Sequence, residues 1–258
     1  MKHRTGPAPR PRTALVTGAA RGIGLAIAER LGADGMRVFL ADIDPAVHDA
    51  ARALRQQGAE AQARMGDIAD EAWVRDTVQQ ILGLGTAIDV LVNNAGISPK
   101  TGGVKASVEQ MQLHEWNRVM AVNLTGAFLL SREVIPAMRA QRWGRILNIS
   151  SQGGRTRTRI AGAHYAASKA GLIGFTRTLA GELAPDAITV NSVAPGRVAS
   201  DMARGATESA NQRFLAGIPL GRVAEPAEIA ACVAFLASDE AGYITGATLD
   251  VNGGSFMG

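Results

Sequence analysis

The sequence predicts an α/β fold of the doubly wound kind, a single domain in which about seven parallel strands carry helices on both faces. Two patterns point to it. Short β-branched runs of strand length alternate with longer segments whose apolar residues recur at helical spacing, and runs such as 38–40 are apolar at every position, as in strands covered on both sides. Size and composition agree: 258 residues, 47% hydrophobic and 19% charged, with 30 glycines and 10 prolines, suit one large core and exclude a disordered, collagenous or coiled-coil chain.

Taken in order, the β-branched runs predict strands at 14–16, 37–41, 61–65, 89–92, 145–149, 189–193 and 248–251. Helical spacing predicts helices at 22–33, 46–57, 71–82, 113–140, 163–183 and 226–237. One stretch, 200–212, is polar, rich in small residues and weakly periodic, which fits a mobile lid over a site. Residues 1–12, with Pro7, Pro9 and Pro11 among small and charged residues, read as a disordered basic tail ahead of one domain at 13–258.

The tail also explains the charge. Four of the 27 Lys and Arg residues lie in those first twelve positions, leaving 23 basic against 23 acidic residues in a neutral body. A nucleic-acid-binding face is therefore not expected. The longest uncharged, mostly apolar stretch, 119–131, is shorter than the roughly 18 to 20 residues of a membrane helix, so no membrane partner is expected. The single cysteine, Cys232, lies in an apolar run and reads as a buried structural thiol, and the four scattered histidines have no zinc-ligand spacing. Together these features suit a soluble protein of the reducing cytoplasm.

In a doubly wound sheet ligands bind beyond the carboxyl ends of the strands, so the residues just after each strand carry the functional reading. After the first strand comes Thr17-Gly18-Ala19-Ala20-Arg21-Gly22-Ile23-Gly24, opening a helix. Glycines there allow a tight turn and let a pyrophosphate approach backbone N–H groups where the helix dipole favours negative charge. Asp42, ending the second strand, is placed to accept the ribose hydroxyls of NAD and to repel a 2′-phosphate, or else to close the turn before the next helix, a task that suits Asp44 better. On this reading the cofactor is NAD, with NADP disfavoured, although Arg21 stands where it could meet a phosphate. Asp67 either contacts adenine or caps the helix that follows. Asn93-Asn94-Ala95-Gly96, after the fourth strand, offers amides that can tie neighbouring strand ends together beside a cofactor.

Tyr165-Ala166-Ala167-Ser168-Lys169 is the most informative constellation. Residues four apart on a helix share a face, so the ammonium can sit near the phenol. Lowering a phenol from pKa about 10 to about 7 takes roughly 4 kcal/mol. A charge about 4 Å away at an effective dielectric of about 20 supplies roughly that much.

The ordered set of Gly18 through Gly24, Asn93 through Gly96, Asn123, Ser150-Ser151, Tyr165 with Lys169, and Pro195-Gly196 closely resembles the short-chain dehydrogenase/reductases, over nearly the whole chain. The glycine spacing G-x-x-x-G-x-G is that family's own form of the Rossmann turn. The resemblance implies Tyr165 as general acid/base, Lys169 as the tuner of its pKa and a ribose ligand, Asn123 as holder of a relay water, and Ser151 as hydrogen-bond partner of the reacting oxygen. It implies a cofactor site of Gly18, Arg21, Gly22, Ile23, Gly24, Asp42, Asp67, Ile68, Asn94, Ala95 and Gly96. Pro195, Gly196, Val198 and Ser200 would wrap the nicotinamide. The family places its serine thirteen residues before the tyrosine, where this chain has Gln152; Ser151 is fourteen before it, so the loop is one residue longer, with Ser150 as the alternative. The resemblance also implies a homotetramer, and Ala166, Ala170, Gly171 and Gly174 offer small surfaces for close helix packing.

The function expected is NAD(H)-dependent interconversion of a secondary alcohol and a ketone. A cofactor-binding regulator without catalysis is disfavoured by the intact Asn123, Ser151, Tyr165 and Lys169. The other alternative is a 3-oxoacyl-carrier-protein reductase, an activity that usually employs NADPH and docks its acidic carrier on two basic residues. Arg142 fits the first place but Asp186 occupies the second, and Asp42 also counts against it. Arg155, Arg157 and Arg159, at alternate positions in the loop before Tyr165, fit either a small-molecule substrate that carries an anionic group or a solvated arginine edge or contacts to a neighbouring subunit.

Overall fold

The computed structural model describes residues 10–100, 103–158, 160–199 and 215–258. Among them, seven strands form one parallel sheet: β1 Thr13–Thr17, β2 Arg37–Asp42, β3 Ala61–Met65, β4 Val90–Asn93, β5 Gly144–Ile149, β6 Ile188–Pro195 and β7 Thr248–Val251, in the order β3-β2-β1-β4-β5-β6-β7. The helices are α1 Gly22–Ala33, α2 Val47–Gln56, α3 Glu71–Gly83, α4 Leu113–Met120, α5 Gly126–Gln141, α6 Ala163–Leu183 and α7 Pro226–Ala237. The order reverses between β1 and β4, and the crevice left there by crossovers leaving in opposite directions is where such sheets bind ligands.

Strand alternation divides the core between the two faces of the sheet. Val38 and Leu40 of β2 pack with Ile27 and Leu31 of α1, Leu54 of α2 and Val233 of α7. Phe39 and Ala41 face the opposite layer, with Val78 and Ile81 of α3, Val134 of α5 and Leu183 of α6. Each fully buried Leu, Ile or Phe removes enough apolar surface from water to contribute about 1.5–3 kcal/mol, so the two layers rather than any one contact hold the sheet.

Three expectations are revised. The helix expected at 113–140 is a continuous helical run, but Ala121–Thr125 winds as a π-turn between α4 and α5. That whole run, Leu113–Gln141, is 29 residues long and apolar enough by length and composition to cross a membrane, longer than the apolar stretch seen in the sequence. Here it serves as a core helix, burying Val122, Leu130, Val134 and Met138 against the sheet. The expected tail is folded at its end. Arg10 donates to both Asp89 oxygens at 2.7 and 2.8 Å, Asp89 also accepts from the Thr13 N–H, and Arg12 reaches Asp239 while its guanidinium lies 3.9 Å from the centre of the Trp143 ring. The rest of the expected tail, 1–9, and the expected lid, 200–212 with Ser200, lie outside the described residues.

Candidate active site

A cleft of about 1030 Å³ opens beyond the carboxyl ends of β1, β2, β4, β5 and β6 and is lined by Gly18, Arg21, Asp42, Asn94, Ser151, Tyr165, Lys169 and Gly196 among others. Its β1 end is made largely of backbone. Gly18 and Gly22 take φ of +62° and +60°, left-handed values that a side chain disfavours. A Cβ on Gly24 would lie 2.1 Å from the Gly18 carbonyl oxygen, so only glycine lets α1 start this close to the turn. Asn94 closes the other side: its Nδ2 donates to the Thr17 and Gly18 carbonyls at 2.8 and 3.1 Å, while Thr17 Oγ1 accepts from the N–H groups of Asn94 and Ala95. This is the tie between strand ends that the sequence suggested. The glycine turn, the free space in front of it and the dipole of α1 fit the pyrophosphate of a dinucleotide.

Around this cradle, Ile23, Gly96, Ile68, Pro195 and Val198 line the cleft, and Val198 also bridges to Ala224. Asp67 lines it too, but caps no helix. Asp70 is the N-cap of α3, accepting from the Ala72 and Trp73 N–H groups, while Asp67 pairs with Arg118 at 2.8 Å. Asp44 takes the cap-like place before α2, accepting the Ala46 N–H, and holds Arg21 by an ion pair at 2.8 Å. Asp42 accepts from the Ala20 N–H at 2.9 Å through one oxygen and from the Asp44 N–H at 3.0 Å through the other. Both oxygens thus brace the turn.

The reactive end is assembled from β5 and α6. Lys169 is 3% exposed, its Nζ donates to the Ile149 carbonyl at 2.7 Å and lies 5.8 Å from the centre of the Tyr165 ring. Burial lowers its ammonium to a pKa of about 8. Burial likewise raises the Tyr165 hydroxyl above its ordinary value, opposed by the hydrogen bond from Ser151. The expected lowering of the phenol is not what this structure gives: loss of solvent around the ring is the larger influence on the Tyr165 hydroxyl. Ser151 Oγ accepts from the Gly153 N–H, leaving its own hydrogen to donate. Ser150 also lines the cleft, but its hydroxyl donates to the Lys169 carbonyl at 2.9 Å, which fixes strand to helix and leaves Ser151 as the serine with a hydrogen to offer. Gln152, one residue beyond Ser151, is bonded to Ser255 of the C-terminal segment.

Asn123, in the π-turn beside the cleft-lining Val122, is 1% exposed. Its Oδ1 accepts from the Ile97 N–H and its Nδ2 donates to the Ile97 carbonyl and to Ser168 Oγ, each at 2.8–3.0 Å. Its amide hydrogens are therefore both committed to holding α6 against the chain after β4.

The three arginines of the loop do not act together. Arg155 turns away to the Gly258 carbonyl at 2.7 Å and to Asp250 at 3.3 Å; Arg157 lines the cleft; Arg159 lies outside the described residues. Extended alternation would have pointed them one way, but the chain turns at Gln152–Gly154 and bends thereafter. Lys100 and Arg197 also line the cleft, and sequence reasoning had no signal for them.

The family described as Enoyl-(Acyl carrier protein) reductase matches residues 18–255, a span that holds the glycine turn, Asn93 to Gly96, Ser151, Tyr165 and Lys169. The chain belongs to the short-chain dehydrogenase/reductase family. This dehydrogenase/reductase is 44% identical over 247 residues to the 3-oxoacyl-[acyl-carrier-protein] reductase of Escherichia coli, covering 95% of this chain and 98% of that protein. It is equally 44% identical to an acetoacetyl-CoA reductase of Shinella zoogloeoides, over 95% and 99% of the two chains. A 3-oxoacyl-[acyl-carrier protein] reductase of Brucella melitensis, solved with bound NAD, superposes with a TM-score of 0.90 at 40% identity, covering 98% of this chain and 94% of that one. As a member of the family, the protein is an NAD(P)-dependent oxidoreductase acting on a CH–OH group or the corresponding ketone.

The 3-oxoacyl-carrier-protein reductases among its relatives overturn the preference for NAD drawn from Asp42, since the usual cofactor of that activity is NADPH. Asp42 has both oxygens on backbone N–H groups of the turn, and Arg21 stands on the same rim, 63% exposed at its side chain.

Proposed function

We propose that this protein reduces the 3-oxo group of an acyl thioester to the 3-hydroxy group with NADPH, the acyl chain being presented on an acidic carrier protein. The observation that carries the reading is the 44% identity, over 95% of the chain, to 3-oxoacyl-[acyl-carrier-protein] reductase. The Ser151, Tyr165 and Lys169 geometry supports the chemistry.

When bound, the nicotinamide cofactor supplies the hydride. The glycine turn and the start of α1 would hold its diphosphate, and Arg21, paired with Asp44 here, would be the residue to meet a 2′-phosphate. Ser151 donates a hydrogen bond to the 3-oxo oxygen and aligns it. Tyr165 donates its proton to that oxygen as the carbonyl carbon gains the hydride, giving the secondary alcohol. A hydroxyl raised by burial is fully protonated at neutral pH, the form a reductase needs. Lys169, still mostly an ammonium below its pKa of about 8, stabilises the phenolate left behind and offers its remaining hydrogens to the cofactor ribose.

Two features earlier weighed against this activity lose their force. Asp42 braces the turn, and Asp186 is ion-paired at 2.9 Å with Arg139, which also holds Glu182, so the guanidinium this edge presents to an acidic carrier is that of Arg142. Arg157 suits a phosphate on the thioester arm. We also infer a homotetramer, supported by the family resemblance and by Phe128, 45% exposed and edge-on to Phe175 across α5 and α6, and a cytoplasmic setting, in keeping with one unpaired cysteine. Sedimentation velocity tests the assembly.

The test of function is NADPH absorbance with acetoacetyl-carrier protein, acetoacetyl-CoA and simple ketones. The reading requires turnover of the thioesters, the carrier-bound one at the lowest KM. Turnover of simple ketones or polyols with none on either thioester would overturn it.

A further inference from the structure

We infer that His164 positions Tyr165 for proton transfer, acting as the missing cap of α6; the inference rests on the reading of Tyr165 as proton donor. Helix α6 begins without a side-chain cap, because its N-cap residue is Gly162. The first N–H groups of a helix have no partner within it, and a buried one left unsatisfied is costly. Here the Tyr165 N–H, at the third helical position, donates to Nδ1 of His164 at 2.7 Å. A histidine inside the first turn thus does what an N-cap serine or aspartate does elsewhere.

The ring is fixed at its other end. An N–H can only donate, so Nδ1 is the acceptor and the ring proton lies on Nε2, which donates to Glu115 Oε1 at 2.9 Å. His164 is 1% exposed, and a Cβ on Gly162 would lie 2.6 Å from its Cε1, so the space over the helix start is filled by the imidazole. Glu115 belongs to α4, which runs through the π-turn into Asn123, and Asn123 bonds Ser168 Oγ, which in turn donates to the Tyr165 carbonyl at 2.8 Å. The backbone of Tyr165 is gripped at its N–H through His164 and at its carbonyl through Ser168, both anchored to the same neighbouring helical run. The catalytic phenol inherits that placement.

The two ring nitrogens can be tested separately, since an asparagine amide places an oxygen near the Nδ1 position and a glutamine amide reaches the Nε2 position. His164→Asn keeps the acceptor for Tyr165 and gives up Glu115; His164→Gln keeps a link to Glu115 and gives up the acceptor. We expect kcat of His164→Asn within about threefold of wild type and kcat of His164→Gln down about tenfold or more, with NADPH affinity unchanged in both. If His164→Gln proves poorly folded by its melting temperature, Glu115→Ala loosens the ring from outside, with a drop of about threefold in kcat and no change in KM expected. Equal kcat for the Asn and Gln variants, or a Glu115→Ala effect confined to KM, would overturn the inference. Tyr165→Phe separates the two claims: if it retains wild-type turnover, the reading of Tyr165 fails; if it is inactive while His164→Gln turns over normally, only the role of His164 fails.

Discussion

At the β1/β4 end of the cleft, Asn94 donates both amide hydrogens to main-chain carbonyls, and glycines set the turn; at the β5/α6 end, Ser151, Tyr165 and Lys169 owe their behaviour to burial and to partners far away in sequence. The first end is a backbone mould. The second is a set of side chains whose protonation depends on what surrounds them. Changes at the mould should therefore act on cofactor affinity, and changes at the β5/α6 end on turnover and its pH dependence.

The largest effect on cofactor affinity is expected at the mould. Gly24→Ala puts a methyl group 2.1 Å from the Gly18 carbonyl oxygen and 2.5 Å from Asn94 Nδ2, so the turn must open. NADPH affinity should fall by about 100-fold or more, with a lowered melting temperature, as read by fluorescence titration and thermal unfolding. An affinity within about threefold of wild type would mean that the turn is not the diphosphate cradle.

Lys169→Met comes next and should separate activity from stability. Because the folded pKa is lowered from 10.5 to about 8, the folded protein holds fewer protons here than the unfolded chain between those values; stability rises with pH across that window, and burial of the ammonium costs most below pH 8. Removing the charge should lower kcat by about 100-fold. It should add about 3 kcal/mol of stability at pH 7, less whatever the lost bond to the Ile149 carbonyl contributes, and the advantage should vanish near pH 10.5. In the wild type, reductive kcat/KM should fall above pH of about 8 as Lys169 loses its proton. Denaturant melts at the two pH values and a pH–rate profile check both.

Arg21→Ala tests the rim between the two ends. NADPH affinity should drop by about tenfold with NADH affinity unchanged, since only the former carries the 2′-phosphate. The smallest effect belongs to Arg155→Ala: its guanidinium is held by Asp250 and the Gly258 carbonyl, so KM for an acidic thioester should change by less than about twofold, whereas Arg157→Ala should raise it.

The same contrast explains what was legible in the sequence. The glycine spacing, Asn94 and the strand–helix alternation are local patterns, and the residues at 22–33, 61–65, 163–183, 226–237 and 248–251 form the elements their periodicity predicts, within the same bounds. Tyr165 and Lys169 could be paired because one helical turn separates them. Partners 23 to 79 residues apart left no such signal: Arg21 with Asp44, His164 with Glu115, Arg10 with Asp89. From the sequence Asp67 is a candidate cap of α3, but it is Asp70, directly before the helix, whose carboxylate reaches the first N–H groups. The backbone bonds of Asp42 left no signal for the same reason. Its chemistry suggested a ribose ligand, while its two bonds to backbone N–H groups are tertiary facts.

Tyr165→Phe measured beside the wild type, with NADPH and acetoacetyl-carrier protein as the pair, tests the central claim most directly. The ring stays in place and only the proton donor is lost, so kcat should fall by about 1,000-fold while the dissociation constant of NADPH stays within about twofold. A variant that keeps half of the wild-type kcat, or one whose loss is entirely a loss of NADPH binding, would contradict the account.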